Sequence, residues 1–185
     1  MNHLGTKNLE TERLILRPFV PEDAVCMFKN WASDPEVTKY LTWPTHESVT
    51  ITQAVIGRWV RSYGEPSYYH WTIHLKSLDE PIGSISGVKI DESKRSVEVG
   101  YCIGRSWWGQ GLVAEAVRAL LAFFFEEVGF DCVEACHHPD NPNSGRVMQK
   151  CGMIYKGKWF KEDKGRELCW YSIDRELYLA NKGKM

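Results

Sequence analysis

The amino-acid sequence predicts a mixed α/β fold (α+β), with one mixed sheet flanked by helices in a single domain of residues 1–185. Strand-like and helix-like segments follow one another in the order β, α, α, βββ, α, β, α, ββ, which is typical of such a fold. The length of 185 residues fits one domain, and a hydrophobic fraction of 43% suffices for its core.

One strand and two helices are predicted for the N-terminal third of the chain. An apolar run closed by an arginine and a proline places the strand at residues 9–19. The first helix begins near Pro21, because proline suits the first helical turn. It ends before Asp34-Pro35, because the residue preceding a proline avoids helical geometry. Apolar residues at helical spacing place the second helix at about residues 48–61.

The middle of the chain predicts three strands and the longest helix. The strands cover residues 68–76, 82–90 and 96–103, and short polar turns join them as a meander. The helix covers residues 111–128, where the apolar stripe is so wide that the sheet must cover it, and Gly129 ends it.

The C-terminal part of the chain predicts one more βαββ segment. The strand covers residues 132–137, and a short helix covers residues 144–151 before Gly152. The last two strands lie near residues 154–160 and 167–177, and they complete the mixed sheet.

Charge and composition exclude several classes of protein. The 23 basic and 24 acidic residues are spread along the chain, so the sequence lacks the basic stripe typical of nucleic-acid binders. The N-terminus has no apolar segment of the signal-peptide kind, and the longest apolar stretch, residues 119–125, is far shorter than the ~20 residues that span a bilayer. We therefore expect a cytoplasmic protein without nucleic-acid or membrane partners, whose six cysteines are reduced.

The sharpest local pattern lies between the strand at residues 96–103 and the helix that follows. Gly109 and Gly111 stand there, and glycines remove the Cβ atoms that would keep a phosphate away from the backbone. The first amides of a helix have no acceptor within the helix and carry about half a positive charge. This pattern predicts a diphosphate or similar anion at residues 109–114; a plain turn that starts the helix is the alternative.

Two nucleotide-binding motifs fit this segment poorly. A dinucleotide-binding motif matches residues 109–114 formally, but it belongs on the first strand–helix unit, with an acidic residue about 20 positions later on a second parallel strand. Glu134 has that spacing, but it lies on the only other strand–helix unit that the sequence predicts. A Walker motif requires a lysine after the last glycine, where the sequence has Leu112.

Five segments resemble, in their order and spacing, the GNAT superfamily of N-acetyltransferases, and specifically its branch of ribosomal-protein N-terminal acetyltransferases. They are residues 9–18, 97–103, 108–116, 141–144 and 147–153. The resemblance implies the acyl-CoA N-acyltransferase (GNAT) fold, in which about four helices flank a central, twisted, mixed and mostly antiparallel sheet. It also implies that acetyl-CoA, the acetyl donor, inserts between two splayed strands that end near Ile103 and His137.

The resemblance implies roles for individual residues as well. Backbone groups of residues 101–103 would bind the acetyl and pantetheine groups, and the amides of residues 109–114 would meet the pyrophosphate. Asn141 and Ser144 match an Asn-x-x-Ser element near the thiol, where Ser144 would donate a proton to the departing thiolate; capping of a helix is the alternative. The residues implied in cofactor binding are Tyr101, Cys102, Ile103, Trp108, Gly109, Gln110, Gly111, Leu112, Val113, Ala114, Asn141 and Ser144.

Three positions depart from the superfamily pattern. Trp108 replaces an arginine or glutamine, and Val113 replaces a small residue, as is common in this branch. Met148 stands where many members carry a tyrosine proposed as general acid. Because methionine cannot donate a proton, the proton must come from Ser144 or water, unless the thiolate leaves unprotonated.

A general base is expected because the attacking amine must be neutral, while an alkylammonium has a pKa of about 10. Glu98 is the first candidate, since its strand leads into the glycine-bearing turn and partial burial there would raise its pKa. A solvated strand residue is the alternative for Glu98. Glu134, on the neighbouring strand, is the second candidate, so Glu98 and Ser144 are the predicted catalytic residues.

Metal and cysteine chemistry have little support in the sequence. Cys132 and Cys136 share one face of a strand about 13 Å apart, which is too far for one ion. The sequence has no CxxC pair, so no metal is expected. Cys102 is a conceivable nucleophile, although packing is the commoner role of a buried cysteine.

The predicted function is transfer of an acetyl group from acetyl-CoA to a primary amine by direct attack in a ternary complex. The acceptor could be a protein N-terminus or a small-molecule amine. A non-catalytic acyl-CoA-binding module of the same fold is the alternative, which Met148 keeps open. We expect a monomer or a homodimer.

Overall fold

The computed structural model describes residues 1–162 and 165–183. The strands are β1 (Leu9–Glu10), β2 (Leu14–Arg17), β3 (Tyr69–Leu75), β4 (Glu80–Asp91), β5 (Ser96–Ile103), β6 (Cys132–His137), β7 (Ile154–Lys161) and β8 (Arg166–Asp174). The α-helices are α1 (Asp23–Met27), α2 (Pro35–Thr38), α3 (Val49–Ser62), α4 (Leu112–Ala122), α5 (Pro142–Lys150) and α6 (Arg175–Asn181). In the part of the chain so described, no helix is long and apolar enough to cross a membrane.

The strands form one sheet, hydrogen-bonded in the order β1-β2-β3-β4-β5-β6-β8-β7. β5 and β6 pair in parallel, whereas β1 with β2, β2 with β3, β6 with β8 and β7 with β8 pair antiparallel. This sheet confirms the predicted mixed α/β class.

Segments that are distant in sequence assemble into two compact units. One unit comprises Met1–Asn2, Gly87–Gly100 and Val117–Met185, and the other comprises His3–Ser86 and Tyr101–Ala116. The prediction of a single domain over residues 1–185 stays a prediction.

The N-terminal strand of the second unit is interrupted, so the prediction of one strand at residues 9–19 is wrong. The Oγ1 atom of Thr11 accepts a hydrogen bond from the backbone N–H of Leu14 at 3.0 Å. The backbone N–H of Thr11 donates a hydrogen bond to the carbonyl oxygen of Leu14 at 3.0 Å. These bonds close a turn, after which β2 pairs back on β1 with Leu9 opposite Leu16. A side-chain hydrogen bond of this kind competes with extended structure.

The helices of this unit surround an aromatic core. Phe19, Met27, Trp31 and Ile56 are almost completely buried within it. α1 continues as a wider π-helical turn at Phe28–Ala32, and α3 lies where the sequence predicts a helix. The short α2 is an addition to the prediction.

α2 begins directly after Asp34. The carboxylate of Asp34 accepts the amide of Glu36 at 2.9 Å, and Pro35 occupies the first helical turn. The same Asp-Pro pair that ends one helix therefore starts the next.

In the first unit, α4 continues as a π-helical turn at Phe123–Val128. The buried residues of this turn are Phe123, Phe124, Phe125 and Val128. Gly129 ends this turn with a φ of 89°, which confirms the predicted end of the helix.

The last strand is shorter than predicted, because β8 ends at Asp174 instead of continuing to residue 177. The Asp174 carboxylate accepts the amide of Leu177 at 2.8 Å and thereby caps α6. The prediction of strand over residues 175–177 is wrong for this reason.

Candidate functional site

The turn between β5 and α4 has two glycines in the left-handed region. Gly109 and Gly111 have φ angles of 75° and 78°, which other residues adopt only at a cost. A Cβ atom added at Gly109 would meet no atom of the described residues within 4 Å. The backbone of this turn, residues 108–111 and hereafter the glycine turn, is therefore open to a ligand.

Two side chains of this segment hold the glycine turn in place. The indole Nε1 of Trp108 donates to the carbonyl oxygen of Ile103 at 2.9 Å, and the amide Nε2 of Gln110 donates to that of Ser106 at 2.9 Å. Trp108, which departs from the superfamily pattern, thus ties the turn to the end of β5.

The start of α4 supplies backbone donors. The first helical bond runs from the N–H of Glu115 to the carbonyl oxygen of Gly111 at 3.1 Å. The amides of Gly111, Leu112 and Val113 precede that bond, and amides at such positions have no acceptor within the helix. The side chains of Leu112 and Val113 are buried and anchor the helix start. Together with the positive end of the helix dipole, this geometry fits a bound diphosphate.

Arg13, between β1 and β2, is fastened to the same helix start. Its Nε and Nη2 atoms each lie 2.7 Å from Oε2 of Glu115, and its backbone N–H donates to Oε1 at 2.9 Å. Its Nη1 atom donates to the carbonyl oxygen of Gln110 at 3.1 Å, and Nη2 would lie 3.7 Å from a Cβ atom at Gly111. The guanidinium group therefore braces the glycine turn and places positive charge beside it.

Glu115 is the anchor of this arrangement. The hydroxyl of Thr11 donates to its Oε1 atom at 2.6 Å. Burial alone would raise the pKa of Glu115, but the hydrogen bonds from Thr11 and Arg13 outweigh burial, so the pKa lies below the ordinary value. Glu115 is consequently ionised and offsets part of the Arg13 charge.

The end of β5 lies tightly against β4. A Cβ atom at Gly83 would lie 2.4 Å from the carbonyl oxygen of Cys102, so this approach requires glycine. The Sγ atom of Cys102 lies 3.3 Å from Oγ of Ser84, and burial raises the pKa of the Cys102 thiol. Because the thiolate is the reactive form, this environment opposes a covalent route through Cys102.

Glu98 lies in the other unit, on β5, and is only 4% exposed. It forms an ion pair with Lys161 of β7, and Sγ of Cys136 donates to its Oε1 atom at 3.2 Å. The Lys161 ammonium also lies 4.9 Å from the ring centroid of Trp170. Glu98 is thus a buried, ion-paired carboxylate and not a solvated strand residue.

Glu134 is the direct neighbour of Glu98 on β6 in the parallel register. Both carboxylates line one pocket of about 260 Å³, hereafter the Glu98 pocket. The two candidates for general base therefore share one cavity, but only Glu98 is largely buried.

The Asn-x-x-Ser element forms the beginning of α5. Asn141 precedes the helix, yet its side chain makes no capping hydrogen bond within the described chain. The N–H of Ser144 donates to the Asn141 carbonyl at 3.2 Å, so Ser144 lies inside the first turn and not at the cap. Met148, one turn later, is almost completely buried.

Across residues 1–162 and 165–183, no group of three or more His, Cys, Asp or Glu side chains is placed to hold a metal ion. Cys132 and Cys136 are both free thiols.

Residues 13–154 match the family model described as "Acetyltransferase (GNAT) domain". The chain belongs to the GNAT acetyltransferase family. It is 32% identical over 178 residues to "Uncharacterized N-acetyltransferase p20" of Bacillus licheniformis, covering 94% of this chain and 99% of that protein. It is also 32% identical over 79 residues to a ribosomal-protein-serine acetyltransferase of Escherichia coli, covering 43% of this chain and 44% of that protein.

A solved acetyltransferase structure shares the fold. The Microcin C7 self immunity acetyltransferase MccE, crystallised with acetyl-CoA and AMP, superposes with a TM-score of 0.76 at 17% identity, covering 89% of this chain and 93% of that one. These comparisons confirm the family and the fold predicted from the residues, and the ribosomal-protein relative agrees with the predicted branch.

The GNAT site residues predicted from sequence fall into two groups. One unit contains residues 101–103 and 108–114 together with Arg13, and the other contains Glu98, Asn141 and Ser144. The roles of these residues stay predictions.

Sequence reasoning missed Arg13, Glu115 and Lys161. Arg13 and Glu115 lie inside the segments that carry the resemblance, but their contact spans 102 positions, so no local pattern pairs them. The same holds for Lys161, whose contact with Glu98 spans 63 positions of the sequence.

Proposed function

We propose that this GNAT protein transfers the acetyl group of acetyl-CoA to a primary amine, either a protein N-terminus or a small-molecule amine, by direct attack in a ternary complex. The glycine turn with its Arg13 brace carries the proposal, since it joins open backbone, helix-start amides and a guanidinium group. Those features fit the two phosphate groups of the acetyl-CoA pyrophosphate in charge and in space. Acetyl-CoA supplies the thioester carbonyl that the amine attacks.

The donor would be held mainly by backbone. Amides of residues 109–114 would bind the pyrophosphate, and backbone groups of residues 101–103 would bind the acetyl and pantetheine groups. The close approach of β4 at Gly83 and the Trp108 indole bond to Ile103 support these assignments, because both fix the end of β5. A rigid strand end positions the thioester at little entropic cost.

On the acceptor side, Glu98 would accept the proton that the acceptor ammonium must lose. A C–N bond then forms between the neutral amine and the acetyl carbon, and the C–S bond breaks with its electron pair on sulfur. The Ser144 hydroxyl would donate its proton to the departing thiolate. The amide nitrogen would release its second proton to water, and water would return a proton to Ser144. Burial of Glu98 supports the encounter that precedes proton transfer, because a dry site strengthens its attraction for the incoming ammonium group.

Met148 favours a second candidate, a non-catalytic acyl-CoA-binding module of the same fold. The side chain is 1% exposed and cannot donate a proton, so α5 lacks the acid that many GNAT members carry there.

Thiol release from acetyl-CoA, measured with a panel of primary amines, tests the proposal, with calorimetry of CoA binding alongside. We expect saturable thiol release with at least one amine, and no release by the Gly111→Asp control. Tight CoA binding without turnover on any amine would establish the binding module instead. Absence of CoA binding would reject both functions.

A further inference from the structure

The Glu98 pocket already contains a cation, which is the ammonium group of Lys161. The Lys161 side chain is 14% exposed and that of Glu98 is 5% exposed, so the ion pair is largely out of water. The ammonium also lies 4.9 Å from the centre of the Trp170 ring. A carboxylate beside an aromatic face is the environment that proteins use to recognise ammonium ligands.

The aromatic wall of the pocket extends beyond Lys161. Trp159 stacks on Trp170 with ring centroids 5.6 Å apart and an interplanar angle of 27°. Trp159 is nevertheless 55% exposed, although large aromatic groups usually gain from burial. The wall therefore offers apolar surface next to the ammonium position.

An external ammonium group could replace Lys161 at low cost. A buried ion pair gains little net stability, because desolvation of the charges offsets their attraction. Release of the Lys161 ammonium into water recovers its desolvation cost, while the incoming ammonium preserves the charge on Glu98. A neutral ligand could not replace the Lys161 ammonium in this way, because it would leave the Glu98 carboxylate without an ammonium partner.

The remaining charges select among cations. Lys89 and Lys94 line the same pocket, so three lysines face two glutamates. A second positive charge on the ligand would approach Lys89 and Lys94, and like charges across an interface disfavour binding.

We propose that the Glu98 pocket binds a monocationic primary alkylamine with an apolar stem, whose ammonium replaces Nζ of Lys161 on Glu98 while its stem lies on Trp159. This inference rests on the proposed function only for the role of that amine as acetyl acceptor. Lys161 is then a resident competitor that neutral molecules cannot replace, while Lys89 and Lys94 disfavour polyamines.

Binding measured without acetyl-CoA tests the inference independently of turnover. The probes are hexylamine, hexanol as the neutral analogue and spermidine as the polycation, measured by calorimetry and by thermal unfolding. For the unmodified protein, we expect hexylamine to bind, hexanol not to bind, and spermidine to bind more weakly than hexylamine.

Lys161→Met removes the competing ammonium and keeps the stem length. Hexylamine should then bind about tenfold more tightly, because the open pocket is fully populated. Saturating hexylamine should also raise the Tm of this variant by about 3 °C. Lys161→Arg is the matched control, since it keeps a cation on Glu98 and should not gain affinity. Glu98→Gln combined with Lys161→Met should lose the hexylamine effect.

Equal binding of hexanol and hexylamine, or no gain in Lys161→Met, would overturn the inference. Trp159→Ala provides a second test that leaves the ion pair in place, and it should weaken hexylamine binding about fivefold. Unchanged affinity in that variant would also overturn it. Amine binding without any turnover would reject the proposed function alone, whereas turnover that is indifferent to Lys161 would reject only this inference.

Discussion

The glycine turn and the Glu98 pocket are built from different parts of the chain. The glycine turn consists of consecutive residues, and its binding groups are backbone amides made accessible by left-handed glycines. The Glu98 pocket takes residues from β4 to β8, and its buried carboxylate is neutralised by Lys161 inside the protein. A backbone site depends on a few glycines, whereas a side-chain site depends on every partner of the buried charge.

The ion pairs of the two sites differ in their exposure to water. Arg13 is 44% exposed in its pair with Glu115, so water and salt screen that attraction. The Lys161–Glu98 pair is largely buried, where loss of one partner leaves an uncompensated charge. Variants of the Arg13–Glu115 pair should therefore change donor affinity with little change in stability, and variants of the pocket should change turnover and stability together.

Gly111→Asp should give the largest effect. The substitution forces a left-handed residue to carry a side chain and places a carboxylate where we propose the pyrophosphate, so acetyl-CoA affinity should fall about 100-fold or more. Calorimetry with CoA measures this directly. Gly111→Ala introduces the strain without the charge and should lose much less affinity. Unchanged affinity in Gly111→Asp would show that the pyrophosphate does not bind at this turn.

Glu98→Gln tests the pocket. We expect kcat to fall about 100-fold through loss of the base, with acetyl-CoA affinity unchanged. Stability should also fall, but by less than the about 3 kcal/mol of a fixed buried charge, because the Lys161 ammonium can move into water.

The double variant Glu98→Gln with Lys161→Met separates the two effects. Chemical denaturation should show that its stability recovers, while its turnover stays low. Turnover that recovers together with stability would assign Glu98 a structural role only. Glu134→Gln is the matched single variant, since its carboxylate is the cross-strand neighbour in the same pocket.

The contrast also explains what the sequence could predict. The bounds of β5 and β6 coincide with the predicted segments 96–103 and 132–137, because alternation and the flanking turn residues are local signals. The left-handed glycines before α4 are local in the same sense. By contrast, the partner of Glu98 lies 63 positions away, and no periodicity connects the two.

The errors in the fold arose where a single side chain decides the backbone. Thr11 turns the chain between β1 and β2, and Asp174 starts α6. Hydrophobic alternation cannot reveal a hydrogen bond from a backbone N–H to one hydroxyl or one carboxylate. Those bonds depend on the geometry of the folded chain.

Arg13 and Glu115 provide a finer test of the glycine turn. If the guanidinium adds charge to the phosphate site, Arg13→Gln should weaken acetyl-CoA binding about tenfold at low salt. Glu115→Gln removes a negative charge from the same place, so affinity should stay equal or rise. Calorimetry at low and high salt compares the two variants. Equal losses in both would show that the pair only holds the turn in shape.

The smallest predicted effect is the dependence of stability on pH. This dependence must be measured before a loss of activity at low pH is assigned to Glu98. Burial lowers the pKa of His70 to about 3, from an ordinary value of 6.5, where its ring lies 4.2 Å from that of Trp59. The folded protein keeps His70 neutral, whereas the unfolded chain takes up a proton below pH 6.5. Stability is therefore fully present above that pH and is lost as the pH falls towards 3. The loss should reach about 1–2 kcal/mol at pH 5.

Denaturation at pH 7 and pH 5 tests this cause. The difference in stability between the two pH values should be smaller for His70→Phe than for the unmodified protein, and an identical difference would exclude His70 as the cause. An acidic limb of activity that persists in His70→Phe then belongs to the pocket and not to unfolding.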